Sequence, residues 1–190
     1  MRLRLASLSP LACLLAFPLT SQVADTARFH RGQWGVDFQI WGGFAGAGAI
    51  HFTSPTRAVV FDLTGQYSHA SAAMFGQYNT VNTTLSLGTR AYRYVEAHVA
   101  RWTTFGLSLL YGYQHSTQGT SSEASEGVGG GLFANLGATW LVTPHLGLGA
   151  QWQVNVTYMH NSDSSSLGSG SSDMVTVALA RVALTGQLYF

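Results

Sequence analysis

One segment of the sequence combines the residue types that nucleophilic catalysis needs. A single residue separates His160 from Ser162, and Asp173 follows in the same region of the chain. In an extended strand, residues two apart project from the same face. An imidazole beside a hydroxyl can remove its proton, and a carboxylate can orient that imidazole. The spacing therefore permits a hydrolytic site with His160 as base and Ser162 as nucleophile, which would also need an acid to orient the base.

The composition of the surrounding segment weakens this interpretation. Residues 161–173 are almost wholly Ser, Gly and Asp, and a serine again lies two residues from a histidine in His69-Ala70-Ser71. Such a spacing arises easily by chance in a serine-rich chain. We therefore expect the residues at 160, 162 and 173 to be loop residues without catalytic chemistry, and we retain hydrolysis as the alternative.

Charged residues inside the predicted strands are the next candidates, because only 9% of the chain is charged. Asp37, Asp62, Arg90 and Arg181 all fall on the polar face of their strands. Asp62 and Arg90 are on neighbouring strands, whereas Asp37 and Arg181 are on the two strands that would close a barrel. Burying an unpaired ion costs several kcal/mol, so we expect these charges to pair inside the fold or to stay hydrated. A proton or ion path is the alternative.

Other kinds of site lack support in the sequence. The seven histidines are scattered, and no two have the spacing of metal ligands on one face. Phosphate-binding glycine loops are absent, and a net charge of +1 provides no field for gripping nucleic acid. The single cysteine, Cys13, lies near the N-terminus. We expect no metal, no cofactor and no nucleic-acid partner.

The pattern from Leu146 to Tyr158 indicates what positions these side chains. Apolar residues occupy the even positions, and Gly, Gln, Asn and Thr occupy the odd positions. This period of two is typical of β-strands with two different faces. The same alternation predicts eight strands, which are Gln33–Trp41, Gly46–Thr53, Arg57–Ser68, Val81–Arg93, Arg101–Tyr113, Val128–Leu141, Leu146–His160 and Met174–Phe190.

The connections between these strands differ in length. Residues 54–56 and 142–145 each contain a proline and are predicted as tight turns. The link 94–100 is longer than a tight turn, and residues 42–46 are predicted either as a loop or as a kink in one long strand. The longest polar links are predicted as loops, which are Ala70–Thr80, Gln114–Gly127 and Asn161–Asp173.

The last strand carries a resemblance to a known family. Apolar residues alternate from Val182 through Leu188 to Phe190, which resembles the C-terminal strand of bacterial outer-membrane β-barrel proteins. Short turns at one end and long loops at the other also fit such barrels. A soluble barrel would need charged residues on its polar face, and this chain has Gln, Asn, Thr, Ser and Gly there. The resemblance covers the whole mature chain as architecture and identifies no subfamily.

This resemblance implies a fold, a location and partners. The expected fold is all-β, a single antiparallel eight-stranded transmembrane barrel with a polar, packed interior. It would be a monomer in the outer membrane, in contact with membrane lipids and lipopolysaccharide, and the barrel assembly machinery would recognise Leu188 and Phe190. Aromatic girdles are expected at both membrane interfaces, with Trp34, Trp140 and Phe190 at the lower rim and Tyr67, Tyr111, Tyr113 and Tyr158 at the upper rim.

The N-terminus has the features of a secretory signal peptide. Residues 1–24 contain Arg2 and Arg4, an apolar stretch and a small-residue end. Cleavage could extend to position 27, so the barrel is predicted over residues 28–190. The chain would then be exported before it assembles.

Most small barrels of this kind resemble structural or binding proteins, so we expect a non-enzymatic protein without a conducting pore. The alternative is a hydrolase, because His160 and Ser162 are similar to the His-x-Ser of the lipid A 3-O-deacylase family. That family usually has Asn after the serine and Glu as its acid, whereas this chain has Asp163 and Asp173. A small-solute channel is the third class that we retain.

Overall fold

The computed structural model describes residues 29–72, 76–96, 98–118, 121–165 and 168–190, so the predicted signal peptide lies outside the described residues. Eight strands run in chain order: β1 Trp34–Trp41, β2 Phe44–Ser54, β3 Arg57–Ala72, β4 Gly76–Glu96, β5 Val99–Gln118, β6 Ser121–Leu141, β7 Leu146–Ser165 and β8 Gly168–Tyr189. Consecutive strands pair antiparallel, and β8 pairs with β1 to close a barrel. The predicted eight-stranded architecture is confirmed. Among the described residues, no helix is long and apolar enough to span a membrane.

The two ends of the barrel can be told apart by their connections. The lower end holds the start of β1, the end of β8 and the turns that follow β2, β4 and β6. The upper end holds the hairpins that join β1 to β2, β3 to β4, β5 to β6 and β7 to β8.

The prediction of long loops at the upper end is wrong. The segments Ala70–Thr80, Gln114–Gly127 and Asn161–Asp173 are mostly strand, and pairing continues to Ala72↔Gly76, Gln118↔Ser121 and Ser165↔Gly168. The link at 94–100 is also mostly strand, since β4 ends at Glu96 and β5 begins at Val99. Both faces of the upper hairpins are polar, so the hydrophobic alternation stops although the backbone pairing does not. The two ends of the barrel therefore differ in how far the paired strands extend, and not in the length of unpaired loops.

The first hairpin settles a choice that the sequence left open. β1 and β2 are separate strands joined by Gly42 and Gly43, whose φ angles are +47° and +87°. Two successive residues with positive φ fit the twist of a two-residue hairpin, and glycine adopts them without strain.

The first hairpin is also much shorter than the others, which leaves two unpaired edges above it. β1 pairs with β8 only from Gly35↔Tyr189 to Ile40↔Leu184. Higher up, residues 168–183 of β8 pair with β7 alone, and residues 66–72 of β3 pair with β4 alone. The wall is therefore continuous around the lower part of the barrel and interrupted above Trp41.

The outer surface is a broad apolar band. Its side chains come from alternate residues of every strand and are largely exposed, for example Phe38, Phe61, Leu87, Leu107, Leu132, Leu148 and Leu184. The alternate positions between them face the lumen. The sequence therefore places its apolar face outward, opposite to a soluble barrel.

Buried apolar residues close the lower end of the lumen, which the sequence analysis expected to be polar throughout. They are Phe29, Ile50, Phe52, Ala58, Val60, Tyr92, Ala100, Trp102, Leu141 and Tyr189. Phe29 precedes β1, and its ring lies 4.3 Å from that of Phe52, 5.1 Å from Tyr92 and 4.8 Å from Tyr189, between ring centroids. We call these four rings the aromatic plug. Above it the lumen is mostly polar, with buried Asp, Arg, Asn, Gln, Ser and Thr side chains and one buried ring, that of Phe133.

Candidate functional site

An ion pair lies directly above the aromatic plug. Arg90 on β4 donates from Nη2 to Oδ2 of Asp37 on β1 at 3.1 Å, and both side chains are almost fully buried. Arg90 also donates to Thr104 at 3.1 Å and to the Tyr92 hydroxyl at 3.4 Å. Its guanidinium carbon lies 3.9 Å from the ring centroid of Trp102. Every side of this buried cation is thus matched by an acceptor or an aromatic face.

Hydrogen bonds extend this pair across the lumen. Gln187 Nε2 donates to Asp37 Oδ2 at 3.4 Å, and its Oε1 accepts from Thr139 at 2.9 Å and from the Tyr189 hydroxyl. Trp102 Nε1 donates to the Thr139 hydroxyl at 3.0 Å. The network joins β1, β4, β5, β6 and β8 in one layer of side chains.

The predicted pairing of Asp37 with Arg181 is wrong. The residue on β8 opposite Asp37 is Gln187, and Arg181 lies six residues further up that strand, or about 20 Å at the rise of a β-strand. Parity gave the correct face for each charge but not its height. Arg181 instead lies 5.8 Å from the ring centroid of Phe44.

Asp62 is the fourth charge that the sequence singled out. It is buried on β3, opposite Gly48, where a side chain would collide with its carboxyl group. Within the described residues, Arg90 forms its salt bridge with Asp37 and not with Asp62. The structure thus gathers two of the four predicted lumen charges into direct contact.

The hydrolase candidates lie on the outer surface near the upper end. His160 Nδ1 lies 2.7 Å from Asp173 Oδ1, and the Tyr158 hydroxyl donates to the same oxygen at 2.8 Å. His160 and Asp173 are directly paired across β7 and β8. Ser162 shares the outward face of His160, but no hydrogen bond joins these two described residues. The base and the acid of the predicted triad are therefore together, and the nucleophile is close to them along β7.

Asp173 lies above the apolar band, where β8 has become a polar hairpin arm. The hydrogen bond from His160, with a second from Tyr158, lowers the pKa of the Asp173 carboxyl below its ordinary value. Both groups are well exposed, with 55% of the His160 side chain and 62% of the Asp173 side chain accessible. The hydrogen bond thus orients the His160 ring, and both side chains remain accessible from outside the barrel.

The same local arrangement occurs a second time. On β3, His69 Nδ1 lies 2.6 Å from Asn79 Oδ1 on β4, and the Tyr67 hydroxyl donates to that oxygen at 3.5 Å. His69 and Asn79 are directly paired, as His160 and Asp173 are. An amide replaces the carboxylate here, so this copy lacks the acid of a triad.

A third copy of the sequence pattern lies between these two. Tyr113 and His115 on β5 have the spacing of Tyr67 with His69 and of Tyr158 with His160. The prediction that the histidines are scattered is therefore incomplete, because three of them belong to a Tyr-x-His repeat. The identical spacing on every second strand is the signal that would have found it.

No group of three or more His, Cys, Asp or Glu side chains among the described residues could hold a metal ion. The predicted upper-rim tyrosines lie where the apolar band ends, and Trp34, Trp140 and Phe190 lie at the lower rim with exposures of 49–68%.

Comparison with known proteins identifies the fold. No protein-family model matches the sequence, and neither does any curated protein. The structure is similar to that of a major outer membrane protein from Thermus thermophilus, with a TM-score of 0.57 and 14% identity, over 83% of this chain and 98% of that chain. The chain has the fold of an outer-membrane β-barrel.

Two further solved structures are similar at lower TM-scores. The N-terminal β-barrel domain of Pseudomonas aeruginosa OprF gives a TM-score of 0.44 at 8% identity, over 85% of this chain and 100% of that one. Ail, the attachment invasion locus protein of Yersinia pestis, gives 0.44 at 10% identity, over 84% and 98%.

In this outer-membrane barrel fold, the residues expected to guide assembly lie at the closing seam. Leu188 is paired with Val36, and Phe190 exchanges backbone hydrogen bonds of 2.9 and 3.1 Å with Trp34. Both side chains point outward at the lower rim.

Proposed function

We propose that this protein is a non-conducting barrel of the bacterial outer membrane with a structural or surface-binding role. The observation that carries the proposal is the closed lower lumen. The aromatic plug is nearly inaccessible to solvent, and the Asp37–Arg90 pair lies immediately above it. An eight-stranded barrel has only enough interior for its side chains, so these two layers support a lumen that is closed to ions.

Conductance across a planar lipid bilayer tests this proposal. Purified protein should give no discrete current steps after incorporation. Vesicles that contain the protein provide the control for incorporation. Without heating, the folded barrel from these vesicles should migrate faster in a gel than heat-denatured protein. Regular single-channel steps from wild-type protein would contradict the proposal and favour a small-solute channel.

The proposed location and partners need a separate test. The apolar outer band supports insertion into lipid, and we propose outer-membrane lipids, lipopolysaccharide and the barrel assembly machinery as partners, with Leu188 and Phe190 as the recognised residues. The protein should fractionate with the outer membrane. Recovery from the soluble periplasm without detergent would contradict this location.

A hydrolase acting on lipid A is the second candidate, because His160 and Asp173 are 2.7 Å apart and Ser162 shares the face of the histidine. Mass spectrometry of lipid A from cells that express the protein provides the test. Loss of a fatty acid in the wild type that disappears in both His160→Ala and Ser162→Ala would establish the hydrolase. Ser71→Ala, in the copy without an acid, is the matched control and should keep any activity. Unchanged lipid A in all cells would exclude it.

A further inference from the structure

The three Tyr-x-His copies share an orientation. They are Tyr67 and His69, Tyr113 and His115, and Tyr158 and His160, on the ascending strands β3, β5 and β7. Each tyrosine continues an outward-facing apolar row, for example Val59, Phe61 and Leu63 on β3 or Leu107 and Leu109 on β5. Each histidine follows two residues later on the same face. All three pairs therefore point away from the lumen.

The strand register also places the three histidines at similar heights. His69 is opposite Asn79, and Asn79 is opposite His115. In a tilted barrel the line of paired residues climbs from strand to strand. The position on β7 reached from His115 is Ser164, and His160 precedes it by four residues, so most of the climb between His69 and His160 is offset, while His115 lies slightly above both. The three pairs thus form one belt around β3, β5 and β7, which we call the histidine belt.

Hydrogen bonding within the belt directs one ring nitrogen outward. In two copies Nδ1 lies next to an oxygen of the residue across the strand pair, Asn79 for His69 and Asp173 for His160. An acceptor at Nδ1 fixes that nitrogen as the donor, so a further proton binds at Nε2. Both of these histidines are exposed. A protonated ring therefore presents Nε2–H to whatever surrounds the barrel at this height.

Charge is distributed unequally between the two ends of the outer surface. The chain contains no lysine. Arg57, Arg93 and Arg101 face outward at the lower end, while Arg90 and Arg181 face the lumen. Among the described outward-facing residues of the upper end, histidine is the only side chain that can become positive.

The acidic groups around the belt are few. Asp173 faces His160, and Glu126 on β6 is opposite Tyr113 and Ser162 on the neighbouring strands. His69 faces Tyr67 and Asn79, and His115 faces Asn79 and Ala124. The outward charge at this height therefore changes from −2 with neutral rings to +1 with three protonated rings, counting Asp173 and Glu126 against the belt.

We propose that the histidine belt binds the anionic headgroups of the lipid leaflet at the upper end of the barrel. Tyrosine marks the boundary between acyl chains and headgroups, and the histidines lie just above it, where lipid phosphates are. Histidine gains its charge as the pH falls from about 8 to 5, so binding strengthens over that range. At the lower end, arginine supplies the same interaction at every pH. This inference rests on the proposal that the barrel spans a membrane.

Electron paramagnetic resonance of spin-labelled lipids tests the proposal. The folded protein is reconstituted in phosphatidylcholine vesicles, and the immobilised fraction of spin-labelled phosphatidylglycerol is compared with that of phosphatidylcholine between pH 5 and 8. The phosphodiester of phosphatidylglycerol does not titrate in this range, so a pH-dependent preference must come from the protein. We expect the preference to rise about fivefold at pH 5, the effect of one of the three added charges acting on a given lipid headgroup.

Three matched variants separate the pH-dependent part of the lipid preference from the part that is constant with pH. H69Q/H115Q/H160Q should lose the pH-dependent part of the preference. R57Q/R93Q/R101Q should lose most of the pH-independent part of the preference, since only the exposed Arg31 before β1 remains at that end, and should keep the rise at low pH. H30Q/H98Q/H145Q, with the same number of substitutions at the lower end, should behave as the wild type. Equal selectivity at pH 5 and 8 in the wild type, or an unchanged rise in H69Q/H115Q/H160Q, would overturn the proposal. An absence of any immobilised lipid would instead overturn the proposed membrane location.

Discussion

The lower lumen and the upper half of the barrel are built on the same eight strands but from different side chains. In the lower lumen, aromatic rings pack around Phe29, and the buried Arg90 donates three hydrogen bonds and stacks on the ring of Trp102. In the upper half, both faces carry Ser, Gly, Thr and Asn, and many side chains are exposed. We infer that the lower part specifies and stabilises the fold, while the upper part is free to carry surface chemistry. Substitutions matched between the two regions test this division.

Removing Arg90, the buried cation of the lower lumen, should lower the stability of the barrel most. Arg90→Leu leaves Asp37 buried without its partner, which costs about 3–5 kcal/mol of the free energy of unfolding. Arg181→Leu removes only a ring contact higher in the lumen and should cost no more than about 1 kcal/mol. Urea titration of the folded barrel in vesicles measures both. Equal losses in the two variants would mean that the lower ion pair has no special role.

Emptying the aromatic plug should have a slightly smaller effect. Phe29→Ala removes a ring that contacts three others, and a loss of about 3 kcal/mol is expected. Tyr78 faces the lumen at the upper end and is 39% exposed, so Tyr78→Ala should cost less than about 1 kcal/mol. If Phe29→Ala proved as mild as Tyr78→Ala, the lower lumen would not be the packed region of the barrel.

Two lumen-facing glycines allow the packing of the lower and upper lumen to be compared by adding one methyl group to each. A methyl at Gly137 would overlap the buried ring of Trp102, so Gly137→Ala should destabilise by about 1–3 kcal/mol. A methyl added at Gly112 would lie 3.2 Å from the nearest atom of Asn82 and 3.6 Å from that of Met159, and both atoms are at the ends of flexible side chains. Gly112→Ala should stay within about 0.5 kcal/mol of wild type. The same urea titration distinguishes them, and a costly Gly112→Ala would show that the upper lumen is packed as tightly as the lower.

The smallest effect is expected at the exposed pair of the upper end. The pKa of Asp173 is lowered in the folded protein, so its carboxylate contributes stability above the unfolded value of about 3.9. This contribution is lost as the pH falls through the lower folded value. Asp173→Asn should therefore differ from wild type by a small amount near neutral pH, and the two should converge at the acid end. Unfolding midpoints measured from pH 3 to 8 would contradict this if the difference were still growing below about pH 4.

The sequence was informative where the two faces of a strand differ in polarity. The alternation from Leu146 to Tyr158 predicted β7 correctly over that range, but the polar residues beyond His160 offered no contrast and were mistaken for a loop. The lower lumen was missed for a related reason. Strand ends such as Ala58-Val59-Val60-Phe61 are apolar on both faces, and only the closed barrel shows which residues are inside.

Alternation along a strand predicts which face a side chain is on, but it does not predict which residue that side chain contacts across the lumen. Asp37 and Arg90 are 53 residues apart and lie on strands that are not neighbours. Their pairing depends on strand tilt and on the length of the arginine side chain, and neither appears in a pattern of alternating residues. In contrast, His160 and Asp173 are neighbours across one hairpin, and the sequence brought them together only in the hydrolase alternative, because residues 161–173 were predicted as a loop.

The short first hairpin limits how much pairing holds β1 against β8. β1 joins β8 through six paired positions, such as Asp37 with Gln187, which are 150 residues apart. The hairpin of β7 and β8 forms twenty pairs between residues that are close in the chain. Closing a long loop costs entropy before its contacts can compensate. We therefore expect the seam to be the last contact made as the chain folds and the first one lost when it unfolds, which makes it the natural starting point for kinetic probes.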